Sequence, residues 1–103
     1  IPADSFLELV QLGSAGSKAA DLKGRKIIDH DFSNQFSLAL MLKDLKLASS
    51  LTDATGVPSP MLNLAKSLFQ AGQTQGYGDE DLSAVVKCYE AWIGQTIGGK
   101  PLQ

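Results

Sequence analysis

Residues 36–55 read FSLALMLKDLKLASSLTDAT, twenty positions without glycine or proline, followed at once by Gly56. This spacing predicts a helix of about 18 residues, roughly 27 Å long. From Leu38 to Ala48, eight of eleven residues are apolar. A helix apolar nearly all round is ordinarily buried at the centre of a domain. Yet Lys43, Asp44 and Lys46 interrupt it. Asp44 lines up at helical offsets with Leu40, Leu47, Ala48 and Leu51, and Lys43 lines up with Phe36, Ala39 and Leu40. Neighbouring positions on a helix point about 100° apart, so Lys43 and Asp44 do not face each other, and Lys46 is at i+4 from neither. If these charges are partly buried, each needs its own partner, because an unpaired buried charge costs several kcal/mol. The local sequence offers none at helical spacing. Their partners would then lie on a ligand, another domain or another chain. The plainer alternative makes them the solvent stripe of the helix.

On either side of this segment the pattern is again helical. Ser5 followed by Glu8 has capping-box spacing and predicts a first helix from Ser5 to Leu12. Ser17 as N-cap and Gly24 as stop predict a short second helix, Ser17 to Lys23. Gly24 to Asn34 reads as a connector holding the pair Ile27-Ile28. Ser59 and Pro60 open a fourth helix, with Met61, Leu62, Ala65, Leu68 and Phe69 as its apolar stripe and Gly72 or Gly76 closing it. A fifth follows Gly78, with Asp79, Glu80 and Asp81 at its positive end. There Leu82, Val85, Val86, Tyr89, Trp92 and Ile93 recur with helical period. No segment alternates apolar and polar residues as a strand does. The expectation is an all-α fold, a compact bundle of about five helices over residues 1–95, with a flexible tail at 96–103.

Composition narrows the function. The 103 residues are 44% hydrophobic and 19% charged, which suits one folded domain with one modest core. Nine basic against eleven acidic residues give a net charge of −2, against a strongly basic nucleic-acid surface. The longest apolar run, Leu38 to Leu42, is far short of the roughly 20 residues that span a bilayer. The single cysteine, Cys88, excludes an internal disulfide framework, suits a reducing compartment such as the cytoplasm, and reads as a small buried hydrophobe. His30 is the only histidine, so neither a zinc cluster nor a nucleophile–histidine triad can be assembled. Gly13 to Ser17 reads as a helix–helix turn rather than a phosphate loop. Asp79 to Asp81 read as helix-end acids, and Lys18, Lys23, Arg25 and Lys26 as a solvated face. The chain opens at Ile1-Pro2-Ala3 without an initiator Met, which suggests a piece of a longer protein.

Three blocks, in order, carry a more specific signal. Phe36 to Ala48 resembles an F-x-L-x-L-M-x-K-D-L-x-L-A segment. Gly56-Val57-Pro58-Ser59-Pro60 resembles a G-x-P-x-P turn. Gly76 to Ala84 resembles a G-x-G-D-x-D-x-S-A helix start. Together they resemble the C-terminal domain of the β-hydroxyacid dehydrogenases, which include 3-hydroxyisobutyrate dehydrogenase and the glyoxylate/succinic semialdehyde reductases. The resemblance runs over residues 3–93. It implies a two-domain enzyme that moves a hydride between NAD or NADP and a small hydroxy acid or its semialdehyde. The cofactor would be held mainly by a nucleotide-binding domain, and the enzyme would be a homo-oligomer. By position, Lys43 matches a lysine that contacts the cofactor, Asp44 the acid beside it, and Phe36 an aromatic of the substrate-cleft wall. The family's G-x-G-x-x-G fingerprint is absent from this chain, and so is its G-x-x-G-x-x-x-K-x-x-x-N helix with the catalytic lysine. No catalytic residue is therefore assigned here, and the piece alone is expected to be inactive. The alternative is a non-catalytic helical dimerisation or interaction module of the same fold.

Overall fold

A computed structural model describes residues 2–14 and 16–98. Five helices follow one another: α1 (Ala3–Leu12), α2 (Lys18–Asp29), α3 (Leu38–Thr55), α4 (Pro60–Thr74) and α5 (Val86–Ile93), the last preceded by a 3-10 turn over Leu82–Val85. Among the described residues no strand forms; one isolated bridge joins Ser37 to Asp81. The all-α expectation holds, and no helix there is long and apolar enough to cross a membrane.

α3 forms where the sequence predicts and spans 18 residues. Its N-terminal N–H groups are all used. Leu38 donates to the Glu80 carbonyl at 2.9 Å, Ala39 to the Gly78 carbonyl at 3.0 Å, and Leu40 to the Ser37 hydroxyl at 3.1 Å. These bonds replace the partners a helix start lacks, and they tie α3 to the segment before α5. Pro60 opens α4 as expected. The core gathers where these ends meet: Phe32, Leu38 and Ala84 are buried, with Phe69, Tyr77, Val85 and Val86 packed around them. Cys88 is buried as well, and desolvation there pushes its thiol pKa up.

Several boundaries differ from the sequence reading. α1 starts at Ala3, and its N-cap is Pro2 without a side-chain cap, so Ser5 and Glu8 form no capping box. α2 does not stop at Gly24. It continues to Asp29 and closes at His30, in the left-handed region at φ 54°. Gly24 is there for packing: a Cβ would lie 2.7 Å from the Leu7 Cδ1 of α1. Ile27 and Ile28 are thus helical. α4 likewise runs past Gly72 to Thr74, because Gly72 is where Leu38 presses in, 2.7 Å from the position of a Cβ. In the final segment, Ile97 donates its N–H to the buried Glu90 at 2.8 Å; residues 99–103 of the expected tail lie outside the described part.

The central helix is not the buried rod its composition suggests. Only Leu38, Leu42 and Ser49 of α3 are buried. Leu40, Leu47 and Leu51 are 51%, 62% and 65% exposed. α5 shows the same departure: Tyr89, Trp92 and Ile93 of its apolar row are exposed.

Candidate functional site

The exposed side of α3 carries a row of i+3 and i+4 neighbours, Leu40, Asp44, Leu47 and Leu51, with Lys43 beside it at i+3 from Leu40 and i−4 from Leu47. Both charged residues are exposed, and neither makes a hydrogen bond or ion pair among the described residues. Within this chain they bear no burial cost, as in the solvent-stripe reading. Three half-exposed or more exposed leucines on the same face are unlike an ordinary solvent stripe, which is polar. The face is therefore apolar with one cation and one anion set into it, a surface suited to covering by something both greasy and polar.

Phe36 sits in the turn that enters α3 and is 39% exposed. Its position is fixed by a buried carboxylate. Asp81 is fully buried. Its Oδ1 accepts from the Lys23 ammonium at 2.9 Å and from the backbone N–H groups of Gln35 and Phe36 at 3.1 and 3.2 Å. Its Oδ2 accepts from Ser83 N–H at 3.0 Å and Ser83 Oγ at 2.6 Å. Leu82 N–H donates to the Phe36 carbonyl at 2.8 Å, and Asp81 N–H to the Phe32 carbonyl at 3.0 Å. Burial by itself would raise the Asp81 pKa. The bonds from Ser83, Lys23 and Gln35 outweigh it and hold the acid well below the usual carboxylate range.

This hub corrects two sequence expectations in part. Asp81 is a helix-end acid as read, the N-cap of the 3-10 turn, but a fully buried one. Of the basic cluster at 18–26, Lys18 and Arg25 are exposed, while Lys23 and Lys26 depart from the solvated-face reading. Lys23 reaches Asp81, Lys26 is buried and donates to the Ser33 carbonyl at 2.8 Å, and Arg25 pairs with Asp4 at 2.6 Å. The available signal was Asp81-Leu-Ser83, an Asp two residues before a Ser at a helix start, where the side chain can turn back on the backbone. His30 also has a partner, Glu90 of α5, at 2.9 Å. The geometry thus brings Phe36 and the α3 entry under the control of Asp81, while Lys43 and Asp44 stand farther along α3, free of internal partners.

Comparison with known proteins gives this face a context. A family model described as NAD-binding of NADP-dependent 3-hydroxyisobutyrate dehydrogenase matches residues 1–89. The chain is 35% identical over 97 residues to 2-(hydroxymethyl)glutarate dehydrogenase of Eubacterium barkeri, covering 93% of this chain and 32% of that protein. It is 32% identical over 85 residues to the human cytokine-like nuclear factor N-PAC, covering 82% of this chain and 15% of that protein. A crystal structure of 3-hydroxyisobutyrate dehydrogenase from Salmonella typhimurium superposes with a TM-score of 0.82 at 28% identity, over 85% of this chain and 31% of that one. The chain thus spans a third or less of the length of these relatives. Given a match that takes in residues 1–89 of 103, the chain belongs to the 3-hydroxyisobutyrate dehydrogenase family of NAD(P)-dependent hydroxyacid dehydrogenases.

Proposed function

We propose that this chain forms the all-α side of a cofactor cleft in an NAD(P)-dependent dehydrogenase acting on a small hydroxy acid or its semialdehyde, and that it helps join the subunits of a homo-oligomer. The observation that carries this is the α3 face, where Lys43 and Asp44 stand among exposed leucines without internal partners. An exposed ammonium beside apolar surface fits a dinucleotide, whose phosphates and amide offer acceptors and whose rings offer apolar area. The bound nicotinamide supplies the hydride-transfer chemistry. In this reading Lys43 donates hydrogen bonds to the cofactor, Asp44 orients polar groups beside it, and Phe36 closes the cleft wall. Leu40, Leu47 and Leu51 exclude water from the closed cleft, which strengthens the polar contacts inside it.

The test is kinetic. In a dehydrogenase that carries this chain together with its nucleotide-binding domain, Lys43→Met should raise KM for the dinucleotide about tenfold, the worth of one charge-assisted hydrogen bond, and change kcat less. An unchanged KM would remove Lys43 from the cofactor site. The 103-residue chain by itself should not turn over glyoxylate or succinic semialdehyde with NADPH; turnover would overturn the division of labour.

A second reading has its own support. The relative N-PAC is named as a nuclear factor rather than a dehydrogenase, which supports a reading of this chain as a non-catalytic helical dimerisation or interaction module. In that case Lys43→Met leaves nicotinamide binding unaffected because there is none, and the chain's role is association through its exposed helix faces.

A further inference from the structure

We infer that the groove between α3 and α4 holds a phosphate-binding site, distinct from the α3 face discussed above and independent of the role of Lys43. A cleft of about 270 Å³ opens there, lined by Lys46 of α3 and by Lys66, Ser67 and Gln70 of α4. No carboxylate lines it, and neither lysine forms an ion pair among the described residues. Both lysines line one cleft without a counter-charge, which favours an anion there.

The second observation is that one of these lysines is anchored from below. Ser49 is 3% exposed. Its hydroxyl accepts from Lys66 Nζ at 2.9 Å and donates to Asn63 Oδ1 at 3.0 Å. The buried serine thus spends its proton on Asn63 and its lone pair on Lys66. The ammonium of this groove-lining lysine is tethered by an uncharged partner and keeps two further N–H donors. Pairing Lys66 with a buried serine, where a nearby acid would have neutralised it, leaves its whole charge available. Ser67 and Gln70 lie one turn apart on α4 and add a hydroxyl and an amide donor. The set supplies two positive charges and at least four donors, which matches a phosphomonoester dianion with its three terminal oxygens. A monoanionic carboxylate would use half of it. Such a group can come from free phosphate or from the phosphomonoester of a nucleotide.

The experiment is an NMR titration of the 15N-labelled chain at fixed ionic strength with three probes. Inorganic phosphate should produce saturable shifts at Lys46, Lys66, Ser67 and Gln70 that chloride does not. Lys46→Met should weaken the binding about tenfold; because Lys46 has no internal partner, this variant should keep its fold, and its melting temperature checks that. Lys66→Arg should retain binding. NADP+, which carries a phosphomonoester, should move the same four signals if the source is a nucleotide, and leave them unmoved if it is the free anion. NAD+, which lacks the monoester, should not move them. Shifts spread over all surface lysines, shifts reproduced by chloride or NAD+, or unchanged affinity in Lys46→Met would each overturn the site.

Discussion

Two carboxylates close to a helix start make unequal contributions here. Asp4 meets Arg25 with both side chains at least half exposed, where water screens the pair. Asp81 meets Lys23 with no exposure of its own. Because the folded-state pKa of Asp81 is depressed, its contribution is present above the unfolded value near 4 and is lost as pH falls through the folded value. Acidification from about pH 5 toward pH 2 should therefore destabilise the chain, and Asp81→Asn should flatten that part of the pH–stability curve. At pH 7 the same substitution should cost about 3 kcal/mol, because Lys23 loses its counter-charge in a half-buried place. Urea unfolding at several pH values checks both statements. Asp4→Asn should leave the midpoint nearly where it is. Nothing in the composition of Asp79-Glu80-Asp81 separates the buried acid from its neighbours: burial is decided by the loop at residues 32–36 folding back over it. The candidate residues Phe36, Lys43 and Asp44 are proposed from the sequence for a different reason. They stand in an ordered motif, and two of them break a hydrophobic run where a charge has no local use.

At the scale of elements, helix starts and stops marked by Ser17, Gly56 and Pro60 are local chemistry and could be read in the chain. Gly24 and Gly72 could not, since a glycine that ends a helix and one that admits a neighbouring leucine look alike in sequence. Gly72 gives a direct test of the second role. Gly72→Ala gains about 1 kcal/mol of helix propensity but places a methyl 2.7 Å from Leu38 Cδ1. Leu38 is fully buried, so its side chain must shift within the core to admit the methyl. Overpacking of this kind costs about 1–3 kcal/mol, so the substitution should be neutral to destabilising by about 2 kcal/mol. Leu38→Ala should cost about 2–5 kcal/mol by opening a cavity. The double variant should lose less than the two singles together, because the alanine at 38 makes room for the methyl at 72. A coupling of about 1 kcal/mol in chemical denaturation is expected; strict additivity would mean the two residues do not share this space.

The whole molecule is loosely built for its length. Its Cα radius of gyration is 14.9 Å, against about 13 Å for a compact chain of 100 residues. The buried hydrophobic residues are few, while Phe6, Leu9 and Leu12 of α1, Leu40, Leu47 and Leu51 of α3, Met61 and Leu64 of α4 and Trp92 of α5 are all exposed. α1 touches mainly α2, and the cleft they share with Val86 and Ile97 has a volume of about 520 Å³ and an almost wholly apolar wall. Apolar area left in water in this amount favours association, because each leucine or phenylalanine covered gains roughly 1.5–3 kcal/mol. The isolated chain should therefore be marginally stable as a monomer, and its melting temperature should rise with protein concentration, as mass action requires when only the folded form associates. Sedimentation velocity over a hundredfold concentration range should show the matching increase in mass. The face responsible can be separated by substitution. Leu47→Glu disturbs only the exposed side of α3, and Phe6→Glu only the α1 side, so both should fold. If α3 provides the contact between copies, Leu47→Glu abolishes the concentration dependence and Phe6→Glu preserves it; the reverse places the contact on α1 and leaves the α3 face to the cofactor cleft. A melting temperature and mass that stay constant over the whole range would show that these apolar faces do not drive self-association.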